Sequence, residues 1–85
     1  MKEFTYVVKD ENGIHARPAG QLVKEAREYN SKIVMFAKDK EADLTKLIQV
    51  MALAVKQGDE IAITAEGEDE AAAIENIEAF VRENL

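Results

Sequence analysis

The 85-residue chain contains no cysteine, no tryptophan, one histidine and one proline. Without cysteine there is no disulfide framework and no thiolate zinc site. One histidine cannot supply a two-histidine metal motif, so neither a metal nor another cofactor is expected. No apolar run approaches the roughly 18 residues of a membrane span, so the chain is not expected to be membrane-embedded. Met1-Lys2-Glu3-Phe4 enters a strand-like pattern directly, with no signal-peptide core, which points to a cytoplasmic protein. The four glycines are scattered, and no linker, repeat or low-complexity stretch interrupts the sequence, so residues 1–85 read as one small domain.

What is present is charge, unevenly placed. The net charge of −6 argues against a nucleic-acid partner. Residues 1–58 hold 10 basic and 8 acidic groups, whereas residues 59–85 set Arg82 against nine acids. The acidity therefore belongs to the last third of the chain, a third that the fold is expected to place away from His15.

The hydrophobic pattern changes period along the chain. Phe4, Tyr6 and Val8 alternate, as in a half-buried strand, until Asp10-Glu11-Asn12-Gly13 supplies turn chemistry. Ala19, Leu22, Val23 and Ala26 then form a helix stripe, with Asn30 expected as the stop because Asn tolerates the left-handed conformation at helix ends. Residues 33–37 form an apolar β-rich run, and Lys38-Asp39-Lys40 turns it back into a short edge segment at 41–43. Thr45 is placed as the cap of a short helix reaching about Val55. Ile61, Ile63 and Ala65 mark a last strand, and Ala73, Ile74, Ile77 and Val81 the buried stripe of a last helix begun by Glu68, Asp69 and Glu70. The order strand, helix, strand, strand, helix, strand, helix predicts an α+β domain, a sheet with helices on one face.

The segment with chemistry is Gly13-Ile14-His15-Ala16-Arg17-Pro18-Ala19. Proline lacks an N–H and is tolerated in the first helical turn, so Pro18 locates a helix start and puts His15 at or near its N-cap. The unpaired N–H groups of a first turn attract anions. Here they are those of Ala16 and Arg17, and the Arg17 guanidinium adds a fork suited to phosphate oxygens. A neutral imidazole is nucleophilic near pH 7. Nucleophile, anion pocket and arginine together suit a phosphohistidine whose labile P–N bond passes its phosphoryl group on. On these residues alone the segment is an anion-binding helix start bearing a nucleophile. A histidine with a satisfied ring and a solvated arginine are the plainer alternative.

This segment resembles the active-site signature of the HPr family, the histidine-containing phosphocarriers of the bacterial phosphoenolpyruvate:sugar phosphotransferase system. Leu44-Thr45-Lys46-Leu47-Ile48-Gln49-Val50-Met51-Ala52-Leu53 is similar to the family's second-helix segment, and Gln57-Gly58-Asp59-Glu60-Ile61 to the turn into its last strand. The resemblance implies an open-faced βαββαβα sandwich, one four-stranded antiparallel sheet covered on one face by three helices. It implies that His15 accepts a phosphoryl group at Nδ1 from enzyme I, with phosphoenolpyruvate as original donor. The group then passes to a histidine of enzyme IIA, with Arg17 attending the phosphate. No turnover is expected without those partners. The alternative is a paralogue that signals by the phosphorylation state of His15 instead of feeding sugar uptake.

The helix after Thr45 is apolar almost all round. Val50 and Leu53 are expected to face the core and Leu47, Ile48 and Met51 the solvent, where large apolar groups mark an interface. The resemblance assigns that interface to enzyme I and enzyme IIA, with Gly20, Lys24, Arg27 and Lys46 around it. The cations would steer an acidic partner. A monomer is expected; a dimer through the apolar helix is the alternative. Three positions depart from the family pattern. Lys46 replaces the usual serine, a regulatory phosphorylation site in many Gram-positive members, so serine-linked regulation is not expected. Gly20 replaces a larger residue, and Ala54 replaces the usual glycine after Leu53.

Overall fold

The computed structural model describes residues 1–85. The elements are β1 (Lys2–Val7), α1 (Ala16–Ala26), β2 (Lys32–Ala37), β3 (Lys40–Asp43), α2 (Leu47–Ala52), β4 (Glu60–Glu66) and α3 (Glu70–Asn84). The strands make one four-stranded antiparallel sheet in the order β1-β4-β2-β3. The α+β sandwich expected from the sequence is the fold observed.

Period-two alternation fixes the register, because a one-residue slip would turn every side chain to the other face. Phe4 and Met35 both pair with Ile63, so three inward side chains meet across the three strands. They join Leu22 and Val23 of α1 and Ile77 and Val81 of α3 in a single core. Each large aliphatic group buried there contributes roughly 1.5–3 kcal/mol. The opposite sheet face carries Thr5, Val7, Phe36 and Thr64 and has no helix over it. Charged β3 takes one edge, where Lys40 and Glu41 oppose pairing with another chain.

Several local expectations are corrected. Helix α1 ends at Ala26, with Arg27 as a right-handed C-cap, and Asn30 is not left-handed. The helix instead closes locally, the Glu28 N–H donating to the Glu25 carbonyl at 3.1 Å and the Tyr29 N–H to the Ala26 carbonyl at 3.4 Å. Asp69 accepts the Asn30 N–H at 2.8 Å and the Ser31 hydroxyl at 2.5 Å, which pins this turn to the start of α3. Thr45 does not cap α2; its hydroxyl and its N–H both donate to Asp43, at 2.6 and 2.9 Å. Lys46 is the N-cap residue and α2 covers only six residues. Ala54 follows its end at φ 51°, the left-handed position that usually falls to glycine.

The loop after β1 is clamped from two sides. Val8 exchanges hydrogen bonds with the 58–59 turn, and the main-chain oxygen of Leu85 accepts the N–H groups of Lys9 and Asp10 at 2.7 and 2.8 Å. The C-terminal end of α3 therefore returns to the segment leading into His15. The acidic third of the chain is not wholly remote from that residue, although no carboxylate of β4 or α3 pairs with it.

Candidate functional site

Gly13 sets the direction of the site segment. Its φ is 63°, and a Cβ there would lie 2.3 Å from the carbonyl oxygen of Val55. Only glycine permits that approach, which lets Ile14 donate its N–H to the same oxygen at 3.1 Å. Ile14 is buried, and His15 follows as the N-cap residue of α1 with extended backbone, φ −98° and ψ 175°.

The His15 side chain does not cap its own helix. It is 42% exposed, so the ring is open to a partner while its base is anchored. The first main-chain bond of α1 runs from Ala19 N–H to His15 C=O at 3.0 Å. Pro18 has no N–H to leave unpaired, and the N–H groups of Ala16 and Arg17 have no acceptor within the protein. Arg17 is exposed and its guanidinium takes part in no hydrogen bond or ion pair. The fold thus places beside the imidazole two free N–H groups, the positive end of an eleven-residue helix and an unengaged guanidinium. Such a site can receive a tetrahedral oxyanion at modest depth.

The sheet and α1 place the predicted partner residues on the adjoining surface. Ile48 is 86% exposed and Leu47 and Met51 are 39% and 37% exposed, while Val50 and Leu53 are buried. Lys24 and Lys46 are exposed cations. Arg27 is also exposed but partly committed, because its Nε–H donates to the Thr45 carbonyl at 3.0 Å and ties the end of α1 to the approach of α2. A shallow hollow of about 600 Å³ lies between Arg27, Lys46, Leu47, Ile48 and Gln49. Gly20 is half-buried on α1, where a Cβ would meet no neighbour within 4 Å.

Residues 2–83 match the family model described as the PTS HPr component phosphorylation site. The chain belongs to the HPr family. It is 43% identical over 77 residues to phosphocarrier protein HPr of Mycoplasma capricolum, covering 91% of this chain and 86% of that one. It is 42% identical over 83 residues to phosphocarrier protein HPr of Lysinibacillus sphaericus, covering 98% and 94%. A solved Mycoplasma histidine-containing phosphocarrier superposes with a TM-score of 0.94 at 39% identity, covering 96% of this chain and 93% of that one. The identity of the chain as a phosphocarrier of the phosphotransferase system, and its open-faced sandwich, thus rest on sequence and architecture together. No helix is long and apolar enough to cross a membrane.

One residue of the site was missed in the sequence. The carboxylate at ion-pair distance from His15 is that of Asp10, with Oδ2 3.8 Å from Nε2. The surroundings of the ring are therefore mixed in sign and not simply cationic. The sequence held a signal: an Asp two residues before Asn-Gly forms an Asx turn, which gives its carboxylate a fixed direction.

Proposed function

We infer that the chain accepts a phosphoryl group on Nδ1 of His15 from phosphorylated enzyme I and delivers it to a histidine of enzyme IIA. The observation that carries this reading is His15 itself: an uncapped, solvent-reachable imidazole with free N–H groups and an unpaired Arg17 beside it. In transfer the Nδ1 lone pair attacks phosphorus in line with the bond to the donor nitrogen. Such transfers depend on positioning and on stabilising charge at the equatorial oxygens. The Ala16 and Arg17 N–H groups and the Arg17 guanidinium suit those oxygens. Each charge-assisted contact contributes roughly 1.5–3 kcal/mol. That is enough to hold the group and too little to trap it.

The docking surface in this reading is the α2 patch of Leu47, Ile48 and Met51, continuous with Gly20 and Lys24 of α1 and flanked by Arg27 and Lys46. Exposed apolar groups supply the contact area and the cations guide an acidic partner, so the association rate with enzyme I falls as salt is added. Lys46 puts a fixed positive charge where the family usually has a serine hydroxyl, so the chain is expected to lack that kinase-linked regulation altogether; kinase-dependent phosphate on the adjacent Thr45 would overturn this.

The deciding experiment incubates the chain with enzyme I and labelled phosphoenolpyruvate, with and without enzyme IIA. Acid-labile label on the wild type that is absent from His15→Ala, and that moves on to enzyme IIA, supports the carrier. Label that passes to no enzyme IIA supports the signalling paralogue instead. No label on the wild type refutes His15 as the acceptor from enzyme I.

A further inference from the structure

Asp10 has no part in the transfer just described, yet its carboxylate stands beside the reacting ring. The 3.8 Å between Asp10 Oδ2 and His15 Nε2 is an ion-pair separation, longer than a hydrogen bond. The carboxylate is not free to swing away. Its Oδ1 accepts the Asn12 N–H at 2.8 Å. The Asp10 main chain donates to the Leu85 oxygen at 2.8 Å and accepts the Gly13 N–H at 2.9 Å. An Asx turn nested in a β-turn, clamped to the end of α3, therefore aims this side chain. Oδ2 receives no hydrogen bond from any other group, and the His15 side chain makes no capping bond that would hold the ring elsewhere.

We propose that Asp10 is a positioning residue that selects the Nε2–H tautomer of His15 and so keeps the lone pair on Nδ1. This rests on the reading of His15 as phosphoryl acceptor. A neutral imidazole has one donor and one acceptor nitrogen, and an ionised carboxylate can only accept. The nitrogen facing Asp10 therefore carries the proton, and Nδ1 is left as the nucleophile. In the transfer the Nδ1 pair forms the new N–P bond. The bond from phosphorus to the donor nitrogen breaks, and its pair stays on that nitrogen. The His15 ring then carries Nε2–H and a positive charge, which the adjacent carboxylate offsets. On delivery the N–P pair returns to Nδ1 with the Nε2 proton still in place, so neither step needs a proton to enter or leave His15. An aspartate that fixes a histidine tautomer is a recurring device in catalysis.

Asp10→Asn tests this sharply. The amide oxygen still accepts the Asn12 N–H, but an NH₂ donor replaces Oδ2 and favours a bare Nε2, with the proton moved to Nδ1. The tautomer is read from the ¹⁵N shifts of the His15 ring in the intact chain, at a pH where the ring is neutral. Because free imidazole side chains already lean toward Nε2–H, the change on substitution is the decisive quantity. The expected result is a shift toward Nδ1–H in Asp10→Asn and roughly tenfold slower labelling from enzyme I. Asp10→Ser, which keeps an acceptor for Asn12 but removes the charge, should fall between. Unchanged tautomer populations in both variants overturn the proposal, and so does slower labelling without a change of tautomer, which marks a merely structural role. If the wild type takes no label while Asp10→Asn still shifts the tautomer, the acceptor reading fails and the positioning role stands.

Discussion

Gly13 and Ala54 both have positive φ, 63° and 51°, yet exchanging their side chains should change stability in opposite directions. In Ala54→Gly, the left-handed conformation costs an L-residue about 1–2 kcal/mol, which glycine relieves. The greater freedom of glycine in the unfolded chain takes back about 0.4–1 kcal/mol. Ala54 is exposed, so no core contact is lost. Its two hydrogen bonds, from its N–H to Met51 C=O at 3.1 Å and from Lys38 Nζ to its own C=O at 2.7 Å, are main-chain features that glycine keeps. The net gain is roughly 0.5–1 kcal/mol, or about 2–8 °C in Tm for a domain of this size. In Gly13→Ala the same conformational cost appears with a collision added, the new Cβ falling 2.3 Å from Val55 O and 2.8 Å from Lys56 Cα. Displacing that main chain also loosens the 3.1 Å bond from Ile14 to Val55. Overpacking of this kind costs about 1–3 kcal/mol beyond the backbone term, and the stiffer unfolded chain returns about 0.4–1 kcal/mol, so the loss should be at least ~1 kcal/mol. Urea titrations followed by circular dichroism measure both changes. A fall in midpoint for Ala54→Gly, or a neutral Gly13→Ala, would refute the reasoning from local geometry.

Three further outcomes are expected. Arg17→Ala should fold normally, since its guanidinium holds no partner within the protein, and should slow phosphoryl transfer about tenfold to a hundredfold in single-turnover labelling; normal rates would remove its role. Ile48→Glu should leave stability within about 0.5 kcal/mol, because Ile48 is 86% exposed, and should weaken binding to enzyme I at least roughly tenfold by calorimetry; unchanged affinity would exclude α2 from the interface. The Ser31 hydroxyl, aided by the Asn30 N–H, holds Asp69 below its ordinary value of 3.8. A depressed carboxylate contributes stability above its unfolded value and loses it as pH falls through the folded one, so the wild type should weaken between about pH 5 and pH 2. Asp69→Asn should be less stable at neutral pH and show a shallower acid dependence, measured from urea midpoints across that range; parallel pH curves for the two chains would refute the coupling.

Legibility in the sequence followed the range of the interaction. Strands β1 and β4 and the buried stripe of α3 were readable from alternation and helical period, β2 from its apolar β-rich run and β3 from the turn residues before it, all of them properties of neighbouring residues. The site helix was readable at its start, where the Pro18 ring forces the issue, but not at its end. Asp69 pins the turn that follows α1 by accepting from Asn30 and Ser31, 39 and 38 residues away, and no local pattern announces that. Thr45 was a reasonable cap by residue type, yet the helix begins one residue later, after Lys46, and the Thr45 hydroxyl turns back to donate to Asp43. Leu47, Ile48 and Met51 could be sorted from Val50 and Leu53 because a short helix cannot bury every side.

The sequence by itself determined the fold class, and it singled out His15 and Arg17 as a nucleophile and a cation at a helix start. These depend on periodicity, on a proline that cannot donate and on the chemistry of imidazole and guanidinium. Only the tertiary structure decided how the ring is held. Gly13 has to meet Val55, and Leu85 has to reach back to Asp10, before the Asp10 carboxylate can face Nε2. Those meetings join segments of chain roughly 40 and 75 residues apart. They follow from how two elements pack in space, which the local pattern of neither segment records.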